Sequence, residues 1–142
     1  LFNDEELLKI WRNNLKGIRY TDNEGNIFFG AVDNILMEGK KLIVLDYKTR
    51  GYPIKEDTAS ASQIQLDAYN FLLRKNNYET EDYGFLLFYM PKEVLETGEV
   101  IFNTELVKMK TNPAHAERLF IKALQVLKEE RPSKGCAWCE KV

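Results

Sequence analysis

The sequence predicts an α/β fold, a mixed central β-sheet flanked by helices. Three observations predict it. Segments rich in β-branched and aromatic residues cover Ile27 to Met37, Lys41 to Thr49, Tyr83 to Met90 and Val100 to Lys108. Helical patterns lie before, between and after them. The order runs helix, three strands, helix, two strands, helix, without the regular alternation of a doubly wound parallel sheet.

Each element has its own signals. Asn3 to Trp11 reads as a short helix, with Asn3 or Asp4 as N-cap and Leu7, Leu8 and Trp11 as its apolar stripe. Lys16 to Thr21 is a short strand, and Asp22-Asn23-Glu24-Gly25-Asn26 carries turn chemistry. Ile27 to Met37 reads as one long strand. Lys41 to Thr49 is apolar on both faces and belongs in the middle of a sheet. Arg50 to Ala59, with Gly51, Pro53 and several charges, is a loop; Ala61 to Lys75 is a strong helix. Pro91 to Glu99 makes a polar connection between the last two strands. Asn112-Pro113 starts a helix by N-cap and proline at its first position, and that helix runs to about Glu130 before Pro132 ends it.

Composition bounds the function classes. The 142 residues suit one domain, expected to span 1–142, and the start at Leu1 reads as a trimmed piece of a longer chain. With 44% hydrophobic and 30% charged residues the balance is globular, which argues against disorder. No apolar run approaches the roughly 20 residues of a membrane helix. A net charge of −2 means that any nucleic-acid binding must rest on a local patch. Two cysteines are too few for a disulfide framework. The expectation is a soluble, cytoplasmic protein without a membrane partner.

The most informative stretch is Gly30-Ala31-Val32-Asp33, Glu38-Gly39-Lys40-Lys41 and Asp46-Tyr47-Lys48. Gly39-Lys40 as a two-residue hairpin turn, with glycine at the first central position, suits type II′. Glu38 then pairs with Lys41, and counting back sets Asp33 opposite Asp46, with Cβ atoms about 4.5–5.5 Å apart. Strand alternation puts Lys48 on the face of Asp46. Like charges placed opposite each other are destabilising, more so when buried. Lys48 offers one positive charge against two negative. A divalent cation removes the deficit, and carboxylate oxygens suit Mg²⁺ or Mn²⁺. The alternative is that both aspartates face water at strand ends and Lys48 makes an ordinary surface pair. The flanking Leu42, Ile43, Val44 and Leu45 argue against it.

On a helical wheel of the next helix, Ile64, Ala68, Tyr69, Phe71, Leu72 and Leu73 fill a broad apolar arc, while Gln63, Asp67, Asn70 and Arg74 cluster in a polar one. Gln65 falls within the apolar arc, and Tyr69, four residues on, shares its face. A buried amide must find partners or cost about 1–3 kcal/mol. Gln65 is therefore either a core glutamine satisfied by backbone or part of a face that overhangs the carboxylates.

Gly30-x-x-Asp33, Asp46-x-Lys48 and Gln65-x-x-x-Tyr69, in this order, resemble the PD-(D/E)XK nuclease superfamily, and within it the RecB-like exonuclease branch that includes CRISPR-associated members. The resemblance covers Ile27 to Leu73. It implies a restriction-endonuclease-like fold, divalent-metal dependence and cleavage of DNA. It further implies that Asp33, Asp46 and the Tyr47 carbonyl hold Mg²⁺ or Mn²⁺. In the same reading Lys48 orients the attacking water and stabilises charge on the phosphate, while Gln65 and Tyr69 support the site or touch substrate. Many members carry an upstream acidic or histidine ligand; only Glu5 and Glu6 are candidates here, in no recognisable motif. Some members hold a four-cysteine iron–sulfur cluster. Cys136 and Cys139 supply two thiolates, so an iron–sulfur cluster or Zn²⁺ site would need ligands from outside this chain.

Other residues have plainer readings. His115 is expected at a solvated helix end. Lys48, Arg50 and Lys55, with Tyr52, could meet a phosphate backbone or be surface scatter. Two functions stand against each other. One is a metal-dependent DNA nuclease, working alone or with a protein partner in a repair or CRISPR-type complex. The other is a non-catalytic DNA-binding or assembly module on the same scaffold.

Overall fold

A computed structural model describes residues 2–55, 58–130 and 134–136. The elements are α1 (Glu5–Trp11), β1 (Ile18–Thr21), β2 (Ile27–Gly30), β3 (Asn34–Glu38), β4 (Lys41–Thr49), α2 (Gln63–Lys75) after a 3₁₀ turn at Ser60–Ser62, β5 (Tyr83–Val94), β6 (Val100–Lys110) and α3 (Pro113–Lys128). Among the described residues, no helix is long and apolar enough to cross a membrane.

The main sheet has the order β3-β4-β5-β6. Only β4 and β5 run parallel; the other two pairs are antiparallel. The crossover between the parallel strands is α2, as a parallel connection requires. β4 is therefore central, which explains why Leu42 to Leu45 are all buried. Its alternation separates two faces. Leu42 and Val44 join the core with Leu66, Tyr69, Leu72, Leu86 and Phe88 beneath α2; Ile43 and Leu45 point the other way.

The expected single strand over Ile27 to Met37 is two strands. β2 pairs with β1 in a separate two-stranded sheet, and β3 belongs to the main sheet. Residues 31–33 make the crossing. The backbone gains its bonds there from α1: Val32 N–H donates to Trp11 O at 3.1 Å, and Arg12 Nε donates to Asp33 O at 2.6 Å. No strand breaker marks this crossing in the sequence except Gly30, and tertiary bonding decides it. Gly30 has a specific role. A Cβ at this position would lie 2.9 Å from Cε1 of Tyr69, so the glycine makes room for that ring.

Other boundaries shift for local reasons. Asp4, not Asn3, caps α1, accepting from Leu7 N–H at 2.9 Å. The expected polar connection Pro91 to Glu99 is mostly strand. β5 and β6 continue to Val94 and Val100 beyond an irregularity between Pro91 and Glu93, leaving a tight turn at residues 95–99. Asn112 caps α3 as expected, accepting from His115 N–H.

The largest correction concerns α2. The middle of its polar arc does not face solvent: Asp67 and Asn70 are each 1% exposed, while Ile64 in the expected apolar arc is exposed. Asp67 Oδ1 accepts from Gln63 Nε2 at 2.8 Å and from Asn112 N–H at 2.7 Å, and its Oδ2 lies 2.8 Å from His115 Nδ1. Asn70 donates to Glu81 O and Thr111 Oγ1. His115 is thus not simply a solvated helix-end residue. It pins the first turn of α3 to a buried carboxylate of α2.

Candidate functional site

The hairpin joining β3 and β4 forms as its sequence requires. Gly39 has φ +59°, whereas Lys40 has no positive φ, which is the II′ pattern. The ladder runs from Glu38↔Lys41 to Asn34↔Leu45. One further step would set Asp33 opposite Asp46, but Asp33 lies just outside the strand, in the crossing held by α1. Its carboxylate meets β4 all the same: Oδ2 accepts from Tyr47 N–H at 2.8 Å. The crossing therefore brings the Asp33 carboxylate to the β4 backbone at Tyr47, outside the ladder.

Asp46 is 2% exposed, and its Oδ2 lies 2.6 Å from Lys48 Nζ. Among the described residues, this buried oxygen has no partner apart from that ammonium. Burial pushes the Asp46 carboxyl above its ordinary value of 3.8, Lys48 opposes the shift, and the negative charge of Asp33 adds to it. Two carboxylates thus share one electrostatic environment with one compensating amine.

Lys48 Nζ also donates to Gln65 Oε1 at 2.6 Å, and Gln65 Nε2 donates to Tyr69 Oη at 2.9 Å. The chemistry fixes this chain. An ammonium only donates, so the amide oxygen must face it, and the amide nitrogen must then face an acceptor. Tyr69 accepts, which leaves its own proton for another group. Burial raises the Tyr69 hydroxyl above its ordinary value, with the carboxylates of Asp46 and Asp33 adding to it and Gln65 opposing it, so the phenol stays protonated. The amide of Gln65 is satisfied by the side chains of Lys48 and Tyr69, not by backbone.

The residues present fit a hard divalent cation. The test is the buried Oδ2 of Asp46, which among the described residues faces the Lys48 ammonium alone, beside the negative charge of a second carboxylate. Asp33, Asp46 and the Tyr47 carbonyl are oxygen donors of the type Mg²⁺ and Mn²⁺ accept. Among the described residues no third carboxylate, histidine or cysteine joins the pair. Glu6 is paired with Lys9 at 2.6 Å on exposed α1, and Glu5 lines a cavity of about 320 Å³ with Arg12 and Asn34. Cys136 is exposed. Cys139 lies outside the described residues.

Sequence reasoning missed two supports. Arg12 holds the main chain of Asp33, as described above. Asn34 Nδ2 donates to Tyr47 Oη at 2.9 Å while Asn34 Oδ1 accepts from Ile35 N–H, which ties the end of β3 to Tyr47. Asn34 could have been suspected as a polar residue opening an apolar strand. Arg12 gives no signal in sequence, because its partner is a backbone carbonyl 21 residues away.

A model of the PD-(D/E)XK nuclease superfamily matches residues 6–141, nearly the whole chain and every candidate residue named above except Glu5. A search of curated proteins finds no match. The superfamily comprises nucleases that use divalent metals, typically Mg²⁺ or Mn²⁺. A mixed sheet flanked by helices agrees with its restriction-endonuclease-like fold. Fold and family match together show that the chain belongs to the PD-(D/E)XK nuclease superfamily.

Proposed function

We propose that this protein is a Mg²⁺- or Mn²⁺-dependent deoxyribonuclease of the RecB-like branch, acting as an exonuclease. One observation carries the reading: Asp33 and Asp46 converge on one locus beside Lys48, whose Nζ is 2.6 Å from Asp46. Asp33, Asp46 and the Tyr47 carbonyl would hold the cation. When bound, the cation supplies a more acidic water as nucleophile and shields the phosphate from the carboxylates.

The remaining roles belong to the chain's own residues. The Lys48 ammonium has three donors. Asp46 and Gln65 face two of them, and the third is available to the attacking water or a non-bridging phosphate oxygen. Held between two partners, the ammonium needs little reorganisation as negative charge builds on the phosphate. Gln65 fixes the lysine. Tyr69, protonated and accepting from Gln65, keeps one O–H to donate toward the substrate backbone.

Incubation of the purified protein with end-labelled single- and double-stranded DNA, with and without Mn²⁺, tests the reading. The expected result is metal-dependent release of short products from ends, sparing circular DNA, and its loss in Lys48→Ala. No product from the folded protein would favour a non-catalytic DNA-binding or assembly module. That second reading draws on one observation, the lack of a third ligand among the described residues.

A further inference from the structure

We infer that the protein forms a twofold homodimer in which β6 of one copy pairs antiparallel with β6 of the other, joining the two four-stranded sheets into one. The inference goes beyond the nuclease reading and does not rest on it. β6 is an edge of the main sheet, and among the described residues no strand pairs with its outer side. The other edge, β3, is short and partly closed: Phe2 N–H donates to Ile35 O at 3.0 Å. β6 is the longer edge, and Val100, Ile101, Phe102 and Leu106 are exposed along it. Such an edge presents a row of N–H and C=O groups that a further strand can pair.

The ladder shows which groups are free. Thr111 N–H donates to Asp82 O at 2.9 Å, one step beyond the Tyr83↔Lys110 pair. Hydrogen-bonded and non-hydrogen-bonded pairs alternate in an antiparallel ladder. Asn103, Glu105, Val107 and Met109 therefore bond to β5. Phe102, Thr104, Leu106 and Lys108 turn their N–H and C=O groups outward. Two details agree with this phase. Tyr89 O, opposite Thr104, accepts from Arg50 N–H on the β4 side. Pro91, which has no N–H to give, stands opposite Phe102.

The side chains then select a register. A twofold axis perpendicular to the sheet keeps every residue on its own face. With that axis at Thr104, Phe102 meets Leu106 and Ile101 meets Val107, so apolar side chains oppose apolar ones. Asn103 meets Glu105, and Thr104 meets itself. No like charges stand directly opposite each other. An axis at Glu105 would set that carboxylate against its own copy, and one at Asn103 would set Ile101 against Glu105. An axis at Leu106 would set Phe102 against Lys110. One strand that matches itself in one register is what an isologous interface requires, so the occupant is a second copy of this chain. The axis leaves α2 and Asp46 of both copies on the same side of the joined sheet.

The test is sedimentation velocity of the whole 142-residue chain and its variants, with melting curves to confirm folding. The parent is expected to sediment at twice its chain mass of 16.6 kDa. Phe102→Glu and Leu106→Lys, each alone, set a charge opposite an apolar side chain and should each weaken the dimer about tenfold or more. Combined in one chain, they set a carboxylate opposite an ammonium at both symmetric positions, and the dimer should return. Thr104→Pro removes the outward N–H at the axis without taking a bond from β5, and should weaken the dimer as well. A monomeric parent overturns the proposal. So does a dimer that both single charge variants leave unchanged, or a double variant no more dimeric than the single ones.

Discussion

Two buried aspartates, one on a strand and one on a helix, are partnered in opposite ways. Asp67, on α2, is 1% exposed and receives a side-chain amide, a backbone N–H and an imidazole. Asp46, on β4, is 2% exposed, and among the described residues its buried Oδ2 faces one ammonium and nothing else. Burial is equal and satisfaction is not. A carboxylate with both oxygens engaged by protein donors serves the scaffold. One that is left short, next to a second carboxylate, is held in a state that something else must complete. The comparison separates scaffold from site without any knowledge of the reaction.

The sharpest way to test the contrast is through activity. Lys48→Ala removes the amine that faces Asp46 and Gln65, and cleavage in Mn²⁺ should fall by roughly 10²-fold or more, as for loss of one well-placed electrostatic group. Asp67→Ala should do the reverse. It leaves three donors without an acceptor and should lower stability by about 2–4 kcal/mol in urea unfolding. The cleavage rate per folded molecule should stay near that of the parent. Equal loss of cleavage by the two variants, at equal folded fraction, would erase the distinction.

A pH series sharpens it further. The Asp46 carboxyl lies above its ordinary value of 3.8 in the folded chain, so the native state holds this proton more tightly than the unfolded state does. Its contribution to stability is therefore present at low pH and is lost as pH rises from about 3.8 through the elevated folded value. In metal-free buffer, the parent should lose stability relative to Asp46→Asn across that window. Chemical unfolding of both proteins at a series of pH values measures the difference. A difference that grows in the opposite sense would mean that the fold favours the charged form. Protons and divalent cations should also compete there, so Mn²⁺ affinity should increase with pH in the same range.

The smallest expected effect is at Gly30. A methyl group there would lie 2.9 Å from the Tyr69 ring. Gly30→Ala should cost about 1–3 kcal/mol from crowding in a packed region. Cleavage should fall by more than the loss of folded protein explains, because the Tyr69–Gln65–Lys48 chain shifts with the ring. Gly39→Ala, on the exposed turn, should affect stability through its positive φ and leave cleavage per folded molecule unchanged.

The candidate site was legible to the degree that it follows from local rules. Gly39-Lys40 set a two-residue turn, and the turn set the register from Glu38↔Lys41 to Asn34↔Leu45, one residue short of Asp33. The place of Gln65 and Tyr69 together followed from helical spacing. What was not legible depends on contacts distant in sequence. The break at residues 31–33 arises because Trp11 and Arg12 supply its hydrogen bonds. The burial of Asp67 and Asn70 arises because α3 and the segment before it cover the polar side of α2. A helical wheel treats a polar arc as a solvent face, and it has no means of knowing that His115 will arrive there.

The central claim is that Asp33 and Asp46 form one cation-dependent centre. Its most direct test is calorimetric titration of Mn²⁺ into the parent chain, Asp46→Asn and Asp67→Asn, with the DNA cleavage of each protein measured in parallel. The account predicts that Asp46→Asn folds at least as stably as the parent, binds Mn²⁺ much more weakly and does not cut. It predicts that Asp67→Asn binds Mn²⁺ as the parent does. Mn²⁺ binding and cleavage that survive in folded Asp46→Asn would contradict it.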